Sequence, residues 1–237
     1  MATKKPVNLL ETKVNEVDGM NLVLIPAGTF KMGADADDFT AANNEKPSVD
    51  VTLTKSYWMA TTAVTQEMFE NIMAGTPNRS AVKNAKNPIT GITFSEAVAY
   101  CKKVGGRLPS EAEYEWAARS GKPNSRPANL KKECWFRKNA NGVPHPVAEL
   151  KPNEWGLYDM IGNVVEVTCT PWDFALKGGT DPGVGNDDPA IERATRSGGY
   201  ANAESMMTAS SRGGFFEQEK PKVHPSDFPG FRYVIPA

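Results

Sequence analysis

The run Trp155-Gly156-Leu157-Tyr158-Asp159-Met160-Ile161-Gly162-Asn163-Val164-Val165-Glu166-Val167 constrains this chain most, because it passes from turn chemistry to an extended β pattern over a short distance. Lys151-Pro152-Asn153 ahead of it is turn chemistry, and Gly162-Asn163 is a pair able to take positive φ. The backbone is therefore expected to fold sharply there before Val164-Val165-Glu166-Val167 sets off as a strand. Asn163 and Glu166 then project from one corner. A side-chain carbonyl, a carboxylate and a turn carbonyl such as that of Val164 form a hard oxygen set, suited to calcium rather than zinc or copper. The alternative is an Asn-capped turn with a solvated Glu.

With 237 residues, 40% of them hydrophobic, the chain is long enough to bury one large core. A formal charge of -1 provides no global field for nucleic acid or an anionic membrane, leaving only a local basic patch to act that way. No apolar run approaches the roughly 18 residues of a membrane span, and Met1-Ala2-Thr3-Lys4-Lys5-Pro6 lacks a secretory apolar segment. The protein is expected to be cytoplasmic or assembled into a particle, with an oligomer allowed. Cys101, Cys134 and Cys169 have no Cys-x-x-Cys spacing and read as buried thiols. His145 and His224 are the only imidazoles, which excludes a His-rich metal centre.

Residues 1–18 read as a polar tail outside a single domain of residues 19–237. Met20 to Ile25 reads as a buried strand, Asp35 to Pro47 as a solvated loop, and Val49 to Leu53 as a half-exposed strand. Helices are expected over Thr65 to Met73, with Thr65 as N-cap, and over Ser95 to Val104, stopped by Gly105-Gly106. Ser110 and Glu113 form a capping box for a third helix ending near Gly121. Its Glu111, Glu113 and Glu115 are read as not sharing one face. Cys134-Trp135-Phe136 reads as a short strand, His145 as structural, and Lys177 to Pro189 as a surface loop.

Gly-Leu-Tyr-Asp-Met-x-Gly-Asn-Val-x-Glu, at Gly156 to Glu166, resembles the signature of the formylglycine-generating-enzyme (sulfatase-modifying factor) superfamily. So do Met20 to Met32, Val64-Thr65-Gln66, Arg107 to Arg119 and Gly230-Phe231-Arg232, in family order. The resemblance implies an α+β class: an irregular, C-type-lectin-like fold with little regular secondary structure. In the formylglycine-generating enzymes two cysteines after an Arg-Gly-Gly-Ser-Trp/Tyr motif bind Cu(I). Here Arg196-Ser197-Gly198-Gly199-Tyr200 matches that motif, and the cysteine positions fall on Asn202 and Met207. Neither supplies a thiolate, so copper is not expected.

A non-catalytic binding or assembly protein is therefore expected, recognising a protein or other macromolecule through the 200–229 loop surface. Tyr200, Asn202, Arg212, Phe215, Phe216, Lys220 and His224 are its candidate ligand-binding residues, with Gly213-Gly214 as a hinge that frees two aromatic anchors. The resemblance supports this, since retroelement-diversified variable proteins bind ligands through the same segment of the same fold. The alternatives are an oxidoreductase-type enzyme using the altered cleft without copper cysteines, and a structural component of a larger particle.

Overall fold

Thr12–Val14 (β1) pairs antiparallel with Asn21–Ile25 (β2), so the fold begins inside the segment that composition assigns to a tail. The computed structural model describes residues 10–123, 126–183, 187–215 and 229–237. Two polar side chains anchor this start. The Asn15 amide donates to Val104 O and the Tyr233 hydroxyl, and the Asp18 carboxylate accepts from Tyr100 and Tyr233. Local hydrophobicity could not signal this, because long-range hydrogen bonds rather than apolar burial hold the segment.

The other strands are Gly28–Met32 (β3), Val49–Leu53 (β4), Tyr57–Ala60 (β5), Glu166–Pro171 (β6), Gly179–Thr180 (β7), Arg193–Arg196 (β8), Arg212–Phe215 (β9) and Val234–Pro236 (β10). One sheet has the order β1-β2-β5-β10, all antiparallel. Its central strands β2 and β5 bury Leu22, Ile25, Met59 and Ala60, so they read as continuous apolar runs. A second sheet, β3-β4-β7, pairs β4 with β7 in parallel. Here Val51 and Leu53 point inward while Asp50 is exposed, the expected alternation. The third sheet, β6-β8-β9, is antiparallel with an irregularity between Val167 and Pro171.

Gln66–Ile72 (α1) starts at Thr65, whose hydroxyl accepts from Met68 N. Phe94–Lys103 (α2) has a full capping box at Thr93, and Glu111–Arg119 (α3) one at Ser110. Leu130–Glu133 (α4) is a single turn, so the expected strand at Cys134 to Phe136 is instead the exit from a short helix. Two 3₁₀ turns, Asn43–Glu45 and Glu204–Met206, complete the set. Asn43–Glu45 lies within the expected solvated loop, yet Glu45 is buried and accepts from Ser210.

All nine residues of α3 are buried, including three Glu and an Arg. A helix buried all round is ordinarily apolar. This one instead brings its charges to partners on the surrounding sheets. Among the described residues no helix is long and apolar enough to cross a membrane. All three cysteines are buried and free, as expected.

Candidate functional site

The turn ahead of β6 takes its shape from Asp159, Gly162 and Asn163, with φ of 53°, 88° and 60°. Position 162 requires glycine twice over, since a Cβ there would lie 2.5 Å from Trp135 O. Asn163 ties three segments together. Its backbone N–H donates to Trp135 O (2.8 Å) and its carbonyl accepts from Tyr200 N (2.7 Å). Its side chain accepts from His145 N and donates to His145 O, both at 3.0 Å. The His145 ring stacks on Trp135 at 3.8 Å. His145 is thus a structural residue, and the Asn163 side chain is a clamp on it rather than a corner ligand.

Glu166 also faces inward. Arg232 donates to both its oxygens at 2.8 Å, Tyr114 donates to one at 3.1 Å, and the Glu166 and Arg232 side chains are almost wholly sealed. Rather than a solvated carboxylate, Glu166 is half of a buried ion pair that joins the hub to the terminal strand. Val164 is buried beside Ala63, Ala140 and Tyr200. Asp159 lies within the same field: burial pushes its carboxyl up to about 6, the Ala148 N–H and Arg232 oppose the rise, and Glu166 adds to it. Among the described residues no three acidic, His or Cys side chains gather as a metal cluster.

A second buried network surrounds α3. Arg196 donates to Glu111 at 3.0 Å and to Glu115, and Arg212 donates to Glu111 through Nε (2.5 Å) and Nη2 (2.9 Å). Glu115 also accepts from Arg119 Nε (2.8 Å) and Gly33 N (2.7 Å). Glu111 and Glu115, four residues apart, therefore do share a face, contrary to the expectation from their alternation. Arg212 is held further by Asn44 O and Phe174 O and lies over the Trp172 ring, so its guanidinium is engaged on all sides.

The segment after β8 brings Asn202 and Met207 to one corner. A Cβ on Gly198 would lie 2.8 Å from Met207 Cε and 3.8 Å from Asn202 Oδ1. Asn202 Oδ1 accepts from Gly199 N (2.6 Å), and Met207 is fully buried. The donors at this corner are an amide oxygen already engaged by Gly199 N and a single thioether sealed in the core, neither of them a thiolate, so the corner does not fit a two-thiolate Cu(I) site. Tyr200 is buried. Phe215 is no freed anchor. It sits in β9 opposite Arg193 and packs partly against the core, and Gly213-Gly214 are strand residues rather than a hinge. A Cβ on Gly214 would displace the end of the exposed Glu192 side chain and press on the Trp172 ring at 3.0 Å. Phe216, Lys220 and His224 lie outside the described residues.

The family model for the sulfatase-modifying factor enzyme 1-like domain matches residues 8–237. The chain belongs to this family. It is 32% identical over 137 residues to the serine/threonine-protein kinase Pkn1 of Chlamydia trachomatis, covering 54% of this chain and 22% of that one. With the formylglycine-generating enzyme of Mus musculus it shares 30% over 118 residues, covering 40% of this chain and 30% of the relative. The chain thus spans less than a third of either relative. The structure of PvdO from Pseudomonas aeruginosa superposes with a TM-score of 0.79 at 22% identity, covering 99% of this chain and all of that one. The irregular, C-type-lectin-like α+β fold is the family's.

Proposed function

We propose that this family member is a non-catalytic binding or assembly module, recognising a protein or other macromolecular partner through the surface carried by residues 200–229. The observation that supports it most is the pairing of Asn202 and Met207 at the Gly198 corner, one locked onto Gly199 N and the other sealed in the core. The buried charges around α3 are no more available for catalysis, because Glu111, Glu115, Arg196 and Arg212 neutralise one another. Among the described residues of this surface, Met206, 41% exposed between these positions, offers an apolar side chain to a partner. A photo-crosslinking residue at Met206 is expected to give a discrete adduct in the source cells, absent when the same residue replaces Lys31 in β3. Equal labelling from both positions, or none from either, would count against the reading.

Calcium at the hub corner belongs to the same proposal, resting on the buried Asp159, on Glu166 shared with Arg232, and on turn carbonyls such as that of Val164, while the Asn163 side-chain oxygen already accepts from His145 N. A cation there would relieve the repulsion that burial and Glu166 impose on Asp159. In chelator, Asp159 titrates near 6 in the fold against about 3.9 when unfolded. Its contribution is then complete below about pH 4 and lost as pH rises through 6, an upper bound of about 3 kcal/mol. Calcium is expected to raise the melting temperature, more at pH 7.5 than at pH 5. No rise at either pH would remove calcium from the account.

A further inference from the structure

The net charge of -1 conceals a local imbalance: residues 122–138 carry six cations, Lys122, Arg126, Lys131, Lys132, Arg137 and Lys138, against the single acid Glu133. The fold neutralises only some of them. Lys122 pairs with Glu154, Arg126 with Asp38, and Lys138 with Glu204. Glu133 turns back to accept from Asn129 N at the start of α4. Lys131, Lys132 and Arg137 are exposed and have no ion-pair partner among the described residues. Lys151 joins them, since its N–H donates to Lys132 O at 2.8 Å and its own side chain is exposed and unpaired among those residues.

This basic surface is continuous with the recognition surface proposed above. Arg137 N donates to Asn202 O (3.1 Å), and Glu204, two residues before Met206, accepts from Lys138. Lys138, with smaller contributions from Lys131 and Arg126, holds the Glu204 carboxyl below the usual carboxylate range, so one acid faces the field of three cations. Beside the same cations opens a cavity of about 300 Å³, with Arg126 and Lys151 at its lining and Leu157, Met160 and Ile161 as apolar wall. The lining acids Glu133, Glu154 and Asp159 are already engaged, by Asn129 N, Lys122 and Ala148 N respectively. That volume is at the low end for a small-molecule site, and large enough for a single apolar side chain.

We infer that the partner presents an acidic peptide segment, whose carboxylates meet Lys131, Lys132, Arg137 and Lys151 while one flanked apolar side chain enters the cavity. The inference rests on the binding reading and adds the partner's chemistry. Complementary charge governs encounter and selection, and the cavity supplies a desolvated anchor.

The test uses the full chain and a fluorescent peptide with one Leu flanked by Glu residues, read by anisotropy, beside a counterpart with Lys in place of Glu. The acidic peptide is expected to bind and to weaken as salt rises, and the Lys peptide to stay unbound. The exposed triple variant Lys131→Glu/Lys132→Glu/Lys151→Glu is expected to lose about tenfold or more in affinity. Ala128→Trp, at the exposed cavity rim, is expected to weaken the Leu peptide to the level of one with Ser in its place. Indifference to charge reversal overturns the acidic partner, as does tighter binding of a single-stranded oligonucleotide or of phosphatidylserine vesicles. A Met206 adduct that survives charge reversal would leave the binding reading standing while this inference falls. Acidic-peptide binding without any Met206 adduct would do the reverse.

Discussion

Arg196→Ala is expected to destabilise the protein by about 3–5 kcal/mol, measured by urea denaturation at neutral pH. The Arg196 side chain is completely buried and lies between Glu111 and Glu115, themselves almost inaccessible. Removing it leaves two carboxylates in α3 with excess charge in a low dielectric, and Arg119 and Arg212 can compensate only from the flanks. Arg193, equally inaccessible and three residues earlier in β8, is the control. It donates to the backbone carbonyls of Cys169 and Asp188 and lies over the Phe94 ring, and the acids whose fields reach it, Asp187 and Asp188, are exposed, so its loss leaves those acids in contact with water. Arg193→Ala should cost less, about 1–3 kcal/mol. Equal costs for the two variants would mean that packing rather than charge compensation organises α3.

Arg232→Ala should cost a similar amount, about 3–5 kcal/mol, through a single stranded acid. Among the described residues the buried Glu166 carboxylate would then keep only the hydrogen bond from the Tyr114 hydroxyl. Protonation removes that stranded buried charge, so the variant gains relative stability as pH falls. The deficit against the parent protein is therefore expected to be largest at neutral pH and to shrink as pH falls towards 4.5, and Glu166→Gln should recover part of it at neutral pH. A deficit constant across that range would show that Arg232 acts through its bonds to Ala60, Thr61 and Tyr158 carbonyls rather than through Glu166.

These networks also mark where the sequence is readable. The capping boxes, the positive-φ pair Gly162-Asn163 and the alternation of β4 are local signals, and each sits where the residues indicate. Long-range pairing is not local. Nothing near Glu166 announces Arg232, and the polar residues Asn15 and Asp18 are fixed by hydroxyls more than two hundred positions away in the case of Tyr233. One missed feature was legible: Glu111, Glu115 and Arg119 recur at four-residue spacing, which places them on one face of α3 and calls for cations opposite. Counting neighbours two apart concealed it. At the candidate site, the resemblance places Asn202 and Met207 at the family's cysteine positions, while the locking of Asn202 onto Gly199 and the strand role of Phe215 needed three-dimensional contacts.

The most direct test of the central claim is to incubate the full chain with Cu(I), oxygen and a cysteine-containing sulfatase peptide, and to quantify the peptide aldehyde against a reaction without protein. An amide oxygen and a sealed thioether in place of two thiolates predict aldehyde no higher than that control. Aldehyde above it, dependent on Cu(I) and on the folded chain, would contradict the account.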